Sequence, residues 1–171
     1  YSKKEIGDMT DEQMSEALSK IWRNYCISDA YEPGSTFKPF TIAAALDENL
    51  VSEKSTFECN GHLQVADWNI ACNLTSGHGT VSLEQSLKVS CNVALMEIGS
   101  KLGAKNFARY TELFGFGQKT GIDLPGEASG IIYSADKLGP VELATSSFGQ
   151  SNTVTMIQMA AGFSSLINGG N

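Results

Sequence analysis

The residues of this chain best suited to chemistry are Ser35 and Lys38, which lie three positions apart in the segment 31–41. Residues at this spacing share one face of a helix, so the serine hydroxyl and the lysine amine can meet without help from the rest of the fold. A serine hydroxyl becomes a strong nucleophile only when a base removes its proton. A lysine amine can act as that base when burial or a nearby positive charge lowers its pKa. The spacing therefore indicates a nucleophile and its base.

The residues around this pair indicate where the helix begins. Pro33 and Gly34 interrupt helices. Pro39 lacks an N–H group, so it is tolerated among the first helical residues, whose N–H groups have no partner within the helix. We therefore predict a helix that starts near residues 35–36 and continues, buried, through the apolar residues 40–46. A serine at that start meets the positive end of the helix dipole, and free backbone N–H groups there suit a developing oxyanion.

A second polar pair, Ser90 and Asn92, follows the end of another predicted helix. A hydroxyl at this place can relay a proton to a leaving amine, as a general acid must. An amide can donate a hydrogen bond to a substrate carbonyl and accept one from Lys38, which fixes the position of the lysine. We expect Ser90 and Asn92 to face the same cleft as Ser35, with Cys91 pointing elsewhere.

Several segments of the chain resemble, in the same order, the motifs of high-molecular-weight penicillin-binding proteins. Residues 32–39 look like the active-site box of that family, residues 77–83 are similar to the stretch before its second motif, and residues 90–94 match its S-x-N motif. Residues 120–127 resemble a segment typical of the class B enzymes of division and sporulation. Residues 149–150, the helix from Val154 and residues 168–170 resemble the stretch before the third motif. The resemblance runs from about residue 31 to residue 171.

The resemblance implies a mainly α fold with a small β hairpin. This is the helical part of the fold shared by penicillin-binding proteins and serine β-lactamases, without most of the central sheet. We expect residues 1–171 to form one partial transpeptidase domain, with an N-terminal helical segment at 1–30 and the family-like region at 31–171. The family's third motif, Lys-Thr/Ser-Gly on a strand, would follow the point where this chain stops. Lys119-Thr120-Gly121 has the same letters, but it precedes turn residues and lies upstream of the matching helices, so we interpret it as unrelated.

The activity that the resemblance implies is peptidoglycan D,D-transpeptidation through a serine acyl-enzyme. Ser35 would attack the D-Ala-D-Ala carbonyl of a stem peptide with Lys38 as its base, Ser90 and Asn92 would assist, and β-lactam antibiotics would acylate the same serine. No cofactor or metal is implied, and further partners would be cell-division or sporulation membrane proteins. The protein would act at the extracytoplasmic face of a bacterial cell membrane, anchored by an N-terminal helix outside this chain. Because an oxyanion donor and the third motif come from the missing strand, we expect the isolated chain to be impaired.

Two other functions remain open from the sequence. The first alternative is a serine β-lactamase or a β-lactam sensor, whose first motif is also S-x-x-K. The Glu-Pro-Gly before Ser35 and residues 121–126 argue against this alternative. The other alternative is a non-catalytic interaction module. Rapid drug hydrolysis with turnover would favour the first alternative, and a Lys-Thr/Ser-Gly strand shortly after residue 171 would favour the transpeptidase.

Composition excludes several classes of protein. The chain has 171 residues, of which 42% are hydrophobic, so it is long and apolar enough for one domain with a real core. Its net charge is −7 and it has no basic cluster, which argues against nucleic acid as a partner. No apolar run approaches the ~20 residues of a membrane span.

Capping boxes predict three further helix starts, at Thr10, Ser82 and Thr155, each with a glutamine three residues later. The first of these helices carries an apolar stripe that includes Ala17, Leu18, Ile21 and Trp22. Another helix follows Gly103 and is closed by Gly115, and the last is closed by Gly169. Between residues 56 and 72 the helical period fails, and the apolar spacing indicates short strands or a hairpin. The first 34 residues show no convincing strand pattern.

The four cysteines leave the redox state open. Cys59 with Cys72 could join the two sides of the predicted hairpin, and Cys72 with Cys91 would place a disulfide against the S-x-N motif. The alternative is that the cysteines are free, buried thiols. The spacing of the cysteines and of His62 and His78 fits no zinc pattern well. We therefore interpret His78 as part of a structural turn and His62 as an exposed loop residue.

Overall fold

The computed structural model describes residues 7–170, which form a mainly helical protein with small antiparallel strand pairs. Residues 1–6 and 171, the two ends of the predicted domain, lie outside the described residues. The helices are α1 (Asp11–Trp22), α2 (Tyr25–Ser28), α3 (Lys38–Asp47), α4 (Leu83–Lys88), α5 (Asn92–Leu113), α6 (Pro140–Ser147) and α7 (Met156–Ile167). The strands are β1 (Ala30–Tyr31), β2 (Thr56–Cys59), β3 (His62–Val65), β4 (Trp68–Ala71), β5 (Gly79–Ser82) and β6 (Val154–Thr155), and a 3₁₀ turn (Gly34–Phe37) leads into α3.

The three predicted capping boxes are all present. Thr10, Ser82 and Thr155 each accept a hydrogen bond from the backbone N–H of the glutamine three residues later, and that glutamine's side chain accepts one from the backbone N–H of the capping residue. These reciprocal bonds satisfy donors that the first helical turn would otherwise leave unpaired. Helices α1, α4 and α7 therefore begin where the capping boxes predict, and α7 starts at Met156 rather than at Val154, which lies in β6.

Helix α5 is the element around which the other helices pack, and it is broken at Gly103. This residue has φ 73° and ψ 159°, a backbone conformation that glycine adopts at little cost, so α5 is two helical segments joined at a kink. The second segment is the helix that the sequence predicts after Gly103. It ends at Leu113, and the N–H of Gly115 (φ 81°) then donates to the Glu112 carbonyl.

The strands form three separate antiparallel pairs. β3 and β4 form a hairpin in which His62 is opposite Ala71, and β2 pairs with β5 so that Cys59 is opposite Gly79. The predicted strands between residues 56 and 72 are thus confirmed, although His62 lies exposed on β3 rather than in a loop. The sequence pattern does not predict strands β1 and β6, which pair with each other. Each has only two residues, which are too few to show an alternating pattern.

The core consists of two buried apolar clusters, each of which contains residues of both α3 and α5. One contains the first half of α5 together with strands β2 and β5. The other is aromatic: the ring centroids of Phe37 and Phe40 lie 5.1 and 4.9 Å from that of Phe116. Together these clusters fix the start of α3 against the start of α5.

The apolar stripe of α1 is largely exposed. Only Ala17 of this helix is buried, whereas 65% of Ile21 and 82% of Trp22 remain accessible. The stripe predicted a packed face, and the described residues provide no cover for most of it. Among residues 7–170, no helix combines the length and the apolar character that a membrane crossing requires.

Candidate active site

Ser35 is exposed, on the 3₁₀ turn that leads into α3. The Thr36 hydroxyl donates to the Pro33 carbonyl (2.7 Å), and the Gly34 N–H donates to the Gly149 carbonyl (2.8 Å), so both sides of the serine are held. The α-helix itself begins at Lys38, two or three residues later than the sequence predicts. The 3₁₀ turn makes the difference, since short 3₁₀ segments are frequent at helix N-termini.

Lys38 is fully buried and donates three hydrogen bonds. Its Nζ lies 2.6 Å from the Ser90 carbonyl oxygen, 2.6 Å from Ser90 Oγ and 2.8 Å from Asn92 Oδ1. Burial lowers the pKa of Lys38 to about 8, against the opposing effect of the nearby Cys72 and Cys91 thiols. About a tenth of the lysine is therefore neutral at pH 7, and a base for serine must be neutral.

Ser90 stands between the other two side chains. Its Oγ donates to Ser35 Oγ at 2.8 Å and accepts from Lys38 Nζ at 2.6 Å. The three-residue spacing predicts that the Ser35 hydroxyl and the Lys38 amine meet directly, but in the structure the Ser90 hydroxyl connects them. Ser90 adopts φ 56°, which turns the chain sharply between α4 and α5. That turn brings both Ser90 and Asn92 to the lysine.

Cys91 points away from this cleft, as expected. Its side chain is fully buried, and Sγ accepts a hydrogen bond from the Ala94 N–H at 3.4 Å, so that the cysteine caps α5. Alternate residues of the turn therefore diverge, with two polar side chains on one side and the thiol on the other.

The assembled site has an accessible hydroxyl, a buried amine and a hydroxyl that connects them. This constellation is typical of acyl transfer through an activated serine. The chain matches the family model described as the penicillin-binding protein transpeptidase domain over residues 3–171. The chain belongs to this transpeptidase family.

Individual relatives agree with this assignment. The chain is 44% identical over 149 residues to the stage V sporulation protein D of Bacillus subtilis, covering 86% of this chain and 23% of that protein. It is 30% identical over 152 residues to the peptidoglycan D,D-transpeptidase FtsI of Escherichia coli, covering 86% of this chain and 24% of that protein. The chain thus spans about a quarter of the length of these relatives.

A solved structure of the same family has the same fold. The crystal structure of Pseudomonas aeruginosa PBP2 in complex with WCK 5153 superposes with a TM-score of 0.84 at 28% identity, covering 95% of this chain and 39% of that one. The mainly helical architecture with small strand pairs is therefore part of a transpeptidase domain, as the sequence predicts.

The triplet Lys119-Thr120-Gly121 lies in a loop rather than on a strand. The Thr120 N–H and hydroxyl donate to Glu127 Oε1 at 2.6 and 2.5 Å, and the Gly121 N–H donates to Glu127 Oε2 at 3.2 Å. Lys119 itself is exposed. These bonds close a local turn, so the triplet does not have the strand context of the family's third motif.

The structure also brings together side chains that lie far apart in the sequence. Cys59, Cys72, Cys91 and His78 converge, with one potential ligand atom from each lying within 4.8 Å of the others. All four cysteines of the chain are free thiols, and Cys72 Sγ lies 3.8 Å from Cys91 Sγ. His78, which the sequence indicates as part of a structural turn, therefore also lies against the three buried thiols. The spacing hid the cluster because each of the four residues comes from a different element.

Proposed function

We propose that this chain carries the nucleophile, the base and the proton relay of a peptidoglycan D,D-transpeptidase. The observation that carries the proposal is the hydrogen-bonded row Ser35–Ser90–Lys38, in which the accessible serine is connected to a buried amine whose pKa is about 8. Asn92 completes the site by holding the same amine. We further propose that residues 1–171 are one partial domain of a longer transpeptidase.

The proton can move along this row because hydroxyl groups rotate. When Lys38 is neutral, Ser35 Oγ–H can donate to Ser90 Oγ, and Ser90 can donate to the lysine nitrogen. As Ser35 Oγ attacks a carbonyl carbon, its proton passes to Ser90 and the proton of Ser90 passes to Lys38, which becomes an ammonium. The reverse transfer delivers a proton to the departing amine, and the acyl group remains on Ser35.

The substrate and partners follow from the family and stay within the proposal. The Escherichia coli relative is named a peptidoglycan D,D-transpeptidase. We therefore infer that Ser35 attacks the D-Ala-D-Ala carbonyl of stem peptides and that β-lactams acylate it. The names of two relatives refer to sporulation and to peptidoglycan transpeptidation. These names support a role with division or sporulation membrane proteins. They also support an extracytoplasmic position, with a membrane anchor outside this chain.

Covalent labelling of Ser35 by a fluorescent penicillin tests the proposal. We would use a chimera in which this chain replaces the matching segment of the Bacillus subtilis stage V sporulation protein D, with the parent protein labelled in parallel. The chimera should be labelled on Ser35, located by peptide mass, and Ser35→Ala should abolish the label without changing thermal unfolding. A folded chimera that is not labelled, or a Ser35→Ala variant that keeps its label, would overturn the proposal.

The same experiment separates the two alternatives. A β-lactamase would release the penicilloyl group and turn over the drug, so its label would decay while product accumulates. A non-catalytic module would not be labelled at all. A transpeptidase without an acyl acceptor keeps its label, and this is the outcome that we expect.

A further inference from the structure

The four converging side chains lie directly behind the catalytic turn. Cys59 is the last residue of β2, Cys72 follows β4, His78 precedes β5, and Cys91 lies between Ser90 and Asn92. The three cysteines are at most 5% exposed, and His78 is half-buried. Among residues 7–170, this is the one group of three or more such side chains with ligand atoms close enough to share an ion.

The distances match those of a tetrahedral metal site. With metal–sulfur bonds of about 2.3 Å and a metal–nitrogen bond of about 2.05 Å, tetrahedral angles place two sulfurs about 3.8 Å apart and a sulfur and a nitrogen about 3.6 Å apart. In the structure Cys72 Sγ and Cys91 Sγ are 3.8 Å apart, and His78 Nδ1 lies 3.5 Å from Cys59 Sγ and 3.6 Å from Cys72 Sγ. Three of the distances between ligand atoms thus already have the values that a bound ion would impose, and all four atoms lie within 4.8 Å of one another.

The backbone is arranged to permit this convergence. Gly61 has φ 89°, and a Cβ on it would lie 2.0 Å from the Thr75 carbonyl oxygen. Gly77 has φ 85°, and a Cβ there would lie 2.4 Å from the Cys59 carbonyl oxygen. Two glycines therefore let the loop after Cys59 and the loop before His78 touch, which side chains at those positions would prevent.

Backbone N–H groups also support the sulfurs. The Asn92 N–H donates to Cys72 Sγ at 3.3 Å, and the Ala94 N–H donates to Cys91 Sγ at 3.4 Å. Hydrogen bonds of this kind stabilise and orient ligands around a metal. A disulfide would use only two of the three sulfurs, and it would give the imidazole no reason to face them.

We propose that Cys59, Cys72, His78 and Cys91 bind one Zn²⁺ ion. Three thiolates and one imidazole in a tetrahedral, largely buried set are typical of structural zinc, which leaves no coordination position open for substrate. The ion joins β2, the β3–β4 hairpin and the loop before β5 to Cys91. Because Cys91 separates Ser90 from Asn92, the ion fixes the turn that holds Lys38, and it does so without touching the reacting atoms.

Metal analysis of the full chain tests the site independently of any activity. The chain purified under reducing conditions should contain about one zinc ion, and Co²⁺ in its place should give the intense visible bands and sulfur-to-metal charge transfer of a tetrahedral thiolate site. Cys59→Ser and His78→Gln should each lose stoichiometric metal. Cys26→Ser is the matched control, since Cys26 is exposed and outside the cluster, and it should keep the metal.

Thiol counting on the unaltered chain covers the case in which these variants do not fold. In the zinc-loaded native chain, a thiol reagent should modify Cys26 alone, and all four cysteines should react after chelation under reducing conditions. Chelation should also speed amide hydrogen exchange in residues 89–94 but not in α7. Equal reactivity of the three buried thiols with and without zinc would overturn the proposal. Zinc binding that is unchanged by His78→Gln would also overturn it. So would a Cys72–Cys91 disulfide that persists under reducing conditions in a chain that takes up no metal.

Discussion

The substitution Asn92→Asp tests whether Lys38 acts as the base. In the structure Asn92 Oδ1 lies 2.8 Å from Lys38 Nζ. A carboxylate at that place keeps the shape of the amide but adds a negative charge beside the amine. Two unit charges at this separation attract each other by about 6 kcal/mol at an effective dielectric constant near 20. Desolvation of the new carboxylate opposes this, and pKa shifts for such close pairs are about 1 to 3 units.

The pKa of Lys38 should therefore rise from about 8 to between roughly 9 and 11 in the variant. In the proposed mechanism the neutral amine is the active form, so the acylation rate should rise with pH up to the lysine pKa and stay level above it. At pH 7 the neutral fraction, and with it the rate, should fall by about 10-fold to 1000-fold. The thiols of Cys72 and Cys91 lie near enough to raise the pKa of the lysine, and they are the same in both proteins.

The assay is the pH dependence of the penicillin acylation rate. It is measured by quenching the labelling reaction at set times, with the chimera described above. Asn92→Ala is the matched control, because it removes the same hydrogen bond without adding a charge, and its profile should not move to higher pH. If Asn92→Asp slows acylation by the same factor at every pH, or if its profile inflects where the unaltered protein's does, Lys38 is not the base.

Three further predictions concern the scaffold of the site. Gly149→Ala should lower both thermal stability and the acylation rate, because Gly149 has φ +86° and the new Cβ would lie 2.0 Å from the Gly34 carbonyl oxygen. Gly121→Ala is the control for backbone strain alone, because Gly121 has a similar φ and a Cβ there would meet nothing within 4 Å. Thr155→Ala should cost about 1 to 2 kcal/mol of unfolding free energy in a denaturant titration, because it removes a fully buried capping box. Phe40→Ala should cost about 3 to 5 kcal/mol, because this buried ring contacts four other aromatic rings.

Each of these predictions can fail in a distinct way. Equal losses for Gly149→Ala and Gly121→Ala would mean that the contact with Gly34 contributes nothing. Unchanged stability of Thr155→Ala would mean that α7 does not depend on its cap. A Phe40→Ala loss below about 1 kcal/mol would show that the aromatic cluster is not a packed core.

The sequence predicted the parts of the site that depend on local spacing. The three-residue interval between Ser35 and Lys38, the prolines around them and the capping boxes each act over one helical turn, so their consequences can be worked out without the tertiary fold. The resemblance then supplied Ser90 and Asn92. What the sequence did not predict is that Ser90 lies between Ser35 and Lys38, because this depends on a left-handed serine in a turn some fifty residues away.

The side chains that escaped prediction are those that come together over long distances. Cys59, Cys72, His78 and Cys91 come from separate elements, and short metal-binding spacings contain no signal for such a set. The signal available was the pair of glycines at 61 and 77, whose positive φ brings their loops into contact. The prediction of a packed face on α1 was wrong for most of the stripe. Amphipathic spacing predicts an apolar face, but it does not identify what packs against that face.

One of the two hydrogen bonds between Lys38 and Ser90 goes to the main chain of Ser90. The Ser90 carbonyl accepts from Lys38 Nζ at 2.6 Å whatever side chain the residue carries. A substitution of Ser90 can therefore remove the proposed proton relay, but the amine keeps a main-chain partner that no substitution deletes. Under the proposed function this sets a limit on resistance to β-lactams: altered side chains here would slow acylation by drug and by substrate together, and they would not dislodge the lysine.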